Sequence, residues 1–577
     1  MSTETHILPS LDLLEFQLFD WLQVNQSDGR EIFSAISETA RRLAIDKFLP
    51  HYRQSDIEEP YLDGESVHVL PAIQEALGSF ADLGFFGASF AEEAGGFGLS
   101  FAVSLAIHSN FSAANISTAN YAMLTVANAR LISTFGTPEQ IEQFALPEIA
   151  GRWLGTMCLS EPQAGSSLGD IQTRAKSDGE DAFGKRYRLS GNKMWISGGD
   201  QNISENIVHL VLAKIADEDG TLPEGTKGIS LFIVPKFLPD GSRNDVAVAG
   251  LNHKMGNRGT SNCLLNFGEN DGAVGWLIGG PGQGLSQMFM MMNEARISVG
   301  MGAAALAYRG YRQSLRYTRE RTQGRLVGNK GGSQVEIIEH PDIRRMLLQQ
   351  KSYAEGAIAI CLYCASLHDQ DTAESATLLA LLTPVAKSWP SEFGCTANDL
   401  AIQIHGGYGY TRDFDVEQLW RDNRLNPIHE GTTGIQAIDL LSRKLIHSDG
   451  KAFDTLQARI RATTQRAKRH REYALFAENL LDFWRDAENL ITQWRNGELE
   501  TIANATVFLR AFGHGVIAWL WLDMAVASYS LAPTPFRSGL GSACRYFFES
   551  ELPQAKSWLS VAARRSVVHA ITEQIFE

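Results

Sequence analysis

The spacing of apolar residues changes period along this 577-residue chain, and the order of those periods limits the fold more than any single motif. From about residue 30 to 150 apolar side chains recur three and four apart, as in Ile32, Phe33 and Ile36 or Ile73, Ala76, Leu77 and Phe80, which predicts amphipathic helices. Between roughly 155 and 275 short β-rich runs take over, among them Ile207 to Leu212 and Ile229 to Val234, divided by Gly, Pro and Asp turns. Helical spacing returns from about 284 to 445 in long segments: Met288 to Ala307, Asp342 to Leu367, and Ala373 to His405, the last interrupted by Pro384 and Pro390. Helices of this length pack as bundles. After Asp449 and Gly450 the helical period continues, with Leu480, Leu481, Trp484, Leu490, Ile491 and Trp494 on one face. Helical, β, helical, helical is neither a Rossmann alternation nor a repeat array. The expected fold class is α+β, mainly α.

Composition narrows the function. Hydrophobic residues at 44% and charged residues at 20% exclude wholesale disorder. A formal charge of -15, from 51 basic and 66 acidic side chains, opposes nonspecific binding to nucleic acid or anionic lipid. Six scattered cysteines do not make a disulfide framework, and a reducing cytoplasm is expected. Cys361 and Cys364 form a CxxC inside an apolar helical stretch with no second ligand pair nearby, so no metal is expected. The N-terminus lacks the basic start and unbroken apolar core of a signal peptide. The apolar run Val516 to Leu522 is stopped by Asp523, well short of the roughly 20 residues a span needs, and predicts a buried helix rather than a transmembrane segment.

Several short stretches carry residues suited to chemistry. In 421–436, RDNRLNPIHEGTTGIQ, Glu430 precedes a glycine and two threonines, where it reads either as a turn residue or as a base. Upstream lies QIHGGYGY, whose glycines would let backbone amides approach a phosphate. MCLSEPQAGSS at 157–167 combines Ser160 and Ser166 with turn-forming Pro162 and Gly165. GNKMWISGG at 191–199 sets Trp195 two positions before Ser197, which on a regular strand puts an aromatic plane and a hydroxyl on one face. Arg296, and the RERTQGR knot at 319–325, could each take a phosphate. Core packing, turn capping and solvated helix faces are the ordinary structural readings of these residues taken singly. The Gly279 to Gly284 run lacks the GxGxxG spacing and reads as a strand-to-helix connection.

Taken in order, MCLSEPQAGSS, GNKMWISGG, HKMGNRGTS at 253–261, RERTQGR, QIHGGYGYTRDFDVEQLWRD and IHEGTTGIQ resemble the acyl-CoA dehydrogenase family, over about residues 40 to 445. The tail beyond 445, with GISLFIVPKFLPDGSRND and EHPDIRRMLL, resembles the long bacterial branch that carries an extra C-terminal helical domain, similar to 3-methylmercaptopropionyl-CoA and fatty acyl-CoA dehydrogenases. The implied architecture is an N-terminal helical domain (1–154), a central β-barrel-like domain (155–283), a four-helix bundle (284–446) and the extra helical domain (447–577).

The resemblance implies an FAD enzyme that converts an acyl-CoA to a trans-2-enoyl-CoA. Glu430 would take the α-proton while hydride passes from Cβ to flavin N5. Met157, Leu159 and Ser160, with Trp195, Ile196 and Ser197, match strands that line the flavin. Arg321, Gln403, Gly406 and Gly407 match positions that reach the ADP part of FAD across a subunit interface, implying a homo-oligomer, at least a dimer, and Thr432 matches a position by the flavin phosphates. Ser166, Arg296 and Gly431 are the implied substrate contacts. An electron-transfer flavoprotein is the implied partner. His429 stands where many members have Tyr, and Gly324 and Arg325 follow Gln323 where a Phe-Gly pair is usual, which weakens the intersubunit contact implied at Arg321. Two alternatives share the fold: an acyl-CoA oxidase using oxygen, and a flavin-binding homologue that binds nucleic acid. From Ile446 onward 15 basic residues face 14 acidic ones, and the cluster Arg459, Arg461, Arg466, Lys468, Arg469 and Arg471 spreads around a helix, which disfavours the latter.

Overall fold

The structure, a computed structural model, describes residues 6–24, 29–328, 331–495, 499–564 and 573. In chain order the principal helices are α1 (Gly29–Leu43), α2 (Pro71–Asp82), α3 (Phe101–Phe135), α4 (Gly284–Glu320), α5 (Pro341–Gln370), α6 (Ala373–His405), α7 (Val416–Asn423) and α8 (Thr433–Ile438). They are followed by α9 (Lys451–Ala467), α10 (Ala474–Arg495), α11 (Ala505–Ala527), α12 (Pro535–Tyr546) and α13 (Leu552–Ala563). The strands are β1 (Tyr61–Asp63), β2 (Ser66–His68), β3 (Leu154–Cys158), β4 (Arg174–Asp181) and β5 (Gly184–Ser197). After them come β6 (Ile207–Ile215), β7 (Ile229–Pro235), β8 (Val246–Leu251), β9 (Asn262–Phe267) and β10 (Ala273–Leu277). The mainly helical class with a central β-sheet agrees with the expectation; the β1–β2 hairpin is a small addition to the N-terminal helical region.

The chain forms two compact units, one of residues 39–100 and 114–295, the other of 1–38, 101–113 and 296–577. One crossing point between them is inside α3, where Asn115 leaves helical geometry (φ -158°, ψ 96°). Its side chain explains the break. Asn115 accepts from the Thr118 amide and donates to the Phe48 carbonyl, so it acts as an internal N-cap that restarts the helix.

In the β-containing unit the sheet closes on itself. β5 pairs with β10, β10 with β7, β7 with β6, β6 with β4, and β4 with β5, a complete circuit and hence a barrel. β3 runs parallel to β6 along Leu154 to Cys158, while β9 and β8 extend outward from β5. All seven residues of β7, and all but the last of β6, are buried, so these strands read as unbroken apolar runs instead of alternating ones. Their inner side chains pack with Leu131 and Ile132 of α3, Phe144, Trp276 and Met288 into one core.

In the helical unit α5 and α6 lie at the centre. Pro390 removes the N–H that would bond the Ala386 carbonyl, and that carbonyl instead receives the Cys361 thiol at 3.8 Å. Helix α11 is apolar around its circumference and therefore sits inside the bundle. Its Trp521 indole donates to the Ser352 carbonyl of α5, its Trp519 indole to Thr463 of α9, and its His514 accepts from Trp389 of α6.

The apolar C-terminal segment is longer than the sequence reading allowed. Residues Ile502–Ser530 meet the length and composition of a membrane span, with mean hydropathy 1.4, yet 83% of the most apolar window is buried in the fold. Asp523 does not terminate the segment because its carboxylate is neutralised by Arg466 and bonded by Trp21 Nε1 and Thr463.

Glu148, in the β-containing unit, supplies a test of packing. It is fully buried, neither carboxyl oxygen has a partner, and Gly155 leaves it room, since a Cβ there would lie 2.3 Å from Glu148 Oε1. Burial holds this carboxyl well above its ordinary value of 4.5. A raised folded-state value means a contribution to stability that is complete below the unfolded value and is lost as pH rises toward the folded one. Glu148→Gln removes that loss. The melting-temperature difference, variant minus wild type, is therefore expected to increase as pH is raised from about 4.5 to about 8, and a flat or falling difference in a thermal-denaturation series would refute it.

Candidate active site

Helix α7 ends at Asn423, and the chain then turns through 424–432 before α8 begins at Thr433. Within that loop Glu430 has φ +51° and Gly431 φ +90°. Left-handed backbone suits glycine and strains glutamate by about 1–2 kcal/mol. Gly431 has a further reason: a Cβ there would meet Gln436 Nε2 at 2.5 Å. That amide donates to the Glu430 carbonyl, and the Thr433 amide closes the loop onto the Pro427 carbonyl.

Beneath the loop lies a buried polar chain. Asn398 of α6 donates to the Leu306 carbonyl, Asn423 donates to Asn398 Oδ1 and to the Ala303 carbonyl, and Asn426 donates to Asn423 Oδ1. With each amide oriented by the one before it, Asn426 presents its oxygen to His429, whose Nε2–H is the donor at 3.1 Å. Burial, reinforced by the nearby Lys387 ammonium, pushes His429 down to about 3, so the imidazole beside Glu430 is neutral. Lys387 is itself buried in α6 and donates to the carbonyls of Asn426 and Gly431 at 2.7 and 2.6 Å.

Charge around Glu430 is balanced against burial. Desolvation raises its carboxyl above the ordinary glutamate value, and Lys387 and Arg296 pull in the opposite direction without cancelling it. Arg296 is buried, stands 3.9 Å from Asp439, and leaves its Nε without a partner. Thus Glu430, Gly431, Thr432 and Arg296 are gathered in one place. Thr432 caps α8 by accepting from the Ile435 amide.

Arg321, Gln403, Gly406 and Gly407 gather separately, where the ends of α4 and α6 meet through Tyr317 stacked on His405 at 4.3 Å. All four are exposed. Gly406 ends α6 at φ +62°, and an added Cβ at either glycine would have open space around it.

In the β-containing unit the remaining residues converge on the junction of β3 and β5. Met157 lies in β3, whereas Leu159 and Ser160 follow its last residue. The Met194 amide donates to the Ser160 carbonyl, tying that segment to β5. Here the regular strand expected through Trp195 and Ser197 is corrected: the pairing register with β9 shifts between Lys193 and Ile196, and Trp195 has φ +67°. The bulge breaks the alternation, leaving Ile196 buried and Trp195 58% exposed. Ser197 Oγ accepts from Asn262. Ser166 lies exposed in the turn beyond the Glu161–Ala164 bridge.

Two partners in these motifs were not singled out from sequence. Glu161 and Lys193 form a buried ion pair at 2.9 Å, and Lys193 also donates to the Leu159 carbonyl. Burial resists ionisation of Glu161, but Lys193 together with hydrogen bonds from Gln172 and Thr173 outweighs it and draws the carboxyl down to about 2. The pair pins the Leu159–Ser160 segment to the strand that bears Trp195. Lys387 was also missed, although a lone charge in the otherwise apolar PVAKSWP was a visible signal.

Among the described residues no group of three or more His, Cys, Asp or Glu side chains is arranged to hold a metal ion. Family comparisons match the chain in four segments. Residues 31–152, 156–269 and 282–445 match the N-terminal, middle and C-terminal domains of acyl-CoA dehydrogenase, and 456–568 match the domain described as acetyl-CoA dehydrogenase C-terminal like. The chain is 32% identical to the broad-specificity linear acyl-CoA dehydrogenase FadE5 of Mycobacterium tuberculosis, with 97% of each protein covered. It is 34% identical to the 3-methylmercaptopropionyl-CoA dehydrogenase of Ruegeria pomeroyi, covering 80% of this chain and 79% of that one. In fold it resembles Caenorhabditis elegans ACDH-11, solved with C11-CoA, at a TM-score of 0.81 and 20% identity over 96% of this chain and 92% of the other. Matched segment by segment and along nearly its whole length, the chain belongs to the acyl-CoA dehydrogenase family of enzymes.

Proposed function

We propose that this enzyme removes the α and β hydrogens of an acyl-CoA thioester to give the trans-2-enoyl-CoA, with Glu430 as the base, FAD as cofactor and an electron-transfer flavoprotein as acceptor. The observation that carries the reading is Glu430 itself: a carboxylate in left-handed backbone, raised by burial and faced by two cations. An α-proton beside a thioester is only weakly acidic, so a base must be stronger than an ordinary carboxylate to take it. Desolvation at the partly buried Glu430 moves it in that direction. Its amide is assigned to the thioester carbonyl, stabilising the negative charge that develops as the proton leaves. Arg296, with an unpartnered buried Nε, and Gly431 and Ser166 are assigned to the substrate.

The residues fit the flavin that this family binds. Trp195 offers an exposed aromatic face at a bulge, and Gly406 and Gly407 leave backbone that a phosphate can approach. When bound, FAD supplies the two-electron acceptor for the hydride leaving Cβ. Met157, Leu159, Ser160, Trp195, Ile196 and Ser197 would line its ring system. Arg321, Gln403, Gly406, Gly407 and Thr432 would hold its phosphate and adenosine end, the first four from a second copy of the chain in a homodimer. The four-part division at 154, 283 and 446 belongs to this reading, as does a reducing cytoplasmic location, which the six free cysteines support. Nucleic-acid binding is disfavoured further by pairing within the basic cluster, since Arg459 and Arg466 are bound to Glu374 and Asp523.

Glu430→Gln is expected to retain FAD and to slow anaerobic bleaching of the flavin by acyl-CoA by about 10²–10⁴-fold or more. Near-normal bleaching in that variant would assign the base elsewhere. The base must be ionised to work, and its value is raised, so the wild-type rate of flavin reduction should fall with decreasing pH along a limb centred above 4.5. Stopped-flow measurement across pH, with a panel of linear acyl-CoAs and 3-methylmercaptopropionyl-CoA, reads both the limb and the preferred acyl group. Rapid reoxidation of the reduced flavin by oxygen would reassign the acceptor.

A further inference from the structure

Lys387 is a buried charge beside Glu430 with no assigned part in the reaction. It sits on α6 between Pro384 and Pro390, fully shielded from solvent, with its ammonium between the Asn426 and Gly431 carbonyls. Those two carbonyls flank the base: one lies before His429 and the other directly after Glu430. A third contact, from Gln436 to the Glu430 carbonyl, holds the same turn from α8. Any relaxation of Glu430 toward right-handed backbone would rotate the peptide that joins it to Gly431 and disturb its neighbours, including the carbonyl that Lys387 holds.

The electrostatic surroundings point the same way. The titratable and charged groups acting on this centre are Lys387 of α6, Arg296 of α4, Glu392 of α6, Asp439 and Arg443 beyond α8, and His429, which is neutral. Arg296 already faces Asp439 at 3.9 Å, whereas Lys387 hydrogen-bonds only backbone carbonyls and its charge acts on Glu430 through space. Burial pushes Lys387 down to about 8, resisted by the nearby Glu430.

We propose that Lys387 is the positioning residue of the base: its ammonium clamps the loop through Asn426 and Gly431, fixes Glu430 in its left-handed conformation, and supplies the positive charge that keeps the carboxylate ionised until substrate arrives. This rests on Glu430 being the base. The role is distinct from a packing role because it acts on protonation as well as on geometry. A side chain that only filled space could be replaced by an apolar one of similar length without changing the pH at which Glu430 gains its proton.

The test is a titration of the holoenzyme. In Lys387→Met, which replaces the ammonium by an uncharged chain of similar length, the acid limb of flavin reduction should move upward by about one unit or more, a roughly tenfold loss of ionised Glu430 at the low-pH end. Isotope-edited infrared spectroscopy of the Glu430 carboxyl should show the same displacement without reference to turnover. An unmoved limb and an unmoved carboxyl signal would overturn the proposal, even if the maximal rate fell. The wild-type protein gives a second measurement that needs no variant: burial lowers Lys387, the Glu430 carboxylate band should show a second step where Lys387 loses its proton, and a band without such a step at any alkaline pH below unfolding would also overturn it. Glu430→Gln, run in parallel, separates the two claims. Retained bleaching in Glu430→Gln defeats the assignment of the base, whereas lost bleaching there with no shift in Lys387→Met defeats the clamp alone.

Discussion

A lysine buried in the middle of a long helix commits everything around it, because an ammonium removed from water must recover its hydrogen bonds from the protein. Lys387 recovers two from the carbonyls of one loop, and the loop is thereby fixed to α6. The helix backbone is interrupted nearby. Pro390 has freed the Ala386 carbonyl, and Gly300 opposite is required, since a Cβ there would come within 2.0 Å of that oxygen. Sequence, helix geometry and loop conformation are therefore linked at a single turn of α6.

The same turn meets the C-terminal region. Trp389, two residues on, donates to His514 of α11, and with Nδ1 so occupied the other ring nitrogen carries its hydrogen toward Glu551, 3.5 Å away. Glu551 also accepts from Tyr353 of α5 at 2.6 Å and from Tyr546 of α12 at 3.1 Å. Burial opposes ionisation of this carboxyl, but the nearby His514 ring and the tyrosine hydrogen bonds outweigh it and hold it below the ordinary glutamate range. A helix as apolar as α11 has no stable place except inside, and this polar cluster fixes how it turns there. Helices α9 to α13 are thus part of the packing behind α6, with which they share one compact unit.

Much of this is legible in the amino-acid sequence. Period changes located the helical and β regions because burial dictates spacing, and the β-rich runs at 207–212 and 229–234 marked β6 and β7, whose burial on both faces the structure adds. What stayed hidden depends on three-dimensional pairing. Asp523 looked like the end of an apolar segment because its partners, Trp21, Thr463 and Arg466, are dozens to hundreds of residues away. Trp195 looked like an ordinary strand residue because a bulge is defined by the opposing strand's register, which local alternation does not encode. Lys193 and Glu161 stood inside motifs already singled out, yet each is an ordinary surface residue type until the other is brought to 2.9 Å.

The strain in Glu430 acquires a physical rationale from these contacts. Left-handed backbone costs about 1–2 kcal/mol at a residue with a side chain, whereas a hydrogen bond to a charged donor contributes about 1.5–3 kcal/mol. Lys387 provides two such bonds to the loop, and Gln436 and His429 add neutral ones, so the strained conformation is over-determined. Every one of these bonds engages either loop backbone or Asn426. Side-chain changes elsewhere in the loop can therefore alter its neighbourhood while the backbone at Glu430 is kept, because the Lys387 and Gln436 bonds engage the main chain. His429 is the exception, because its side-chain bond to Asn426 makes it part of the set that holds the loop.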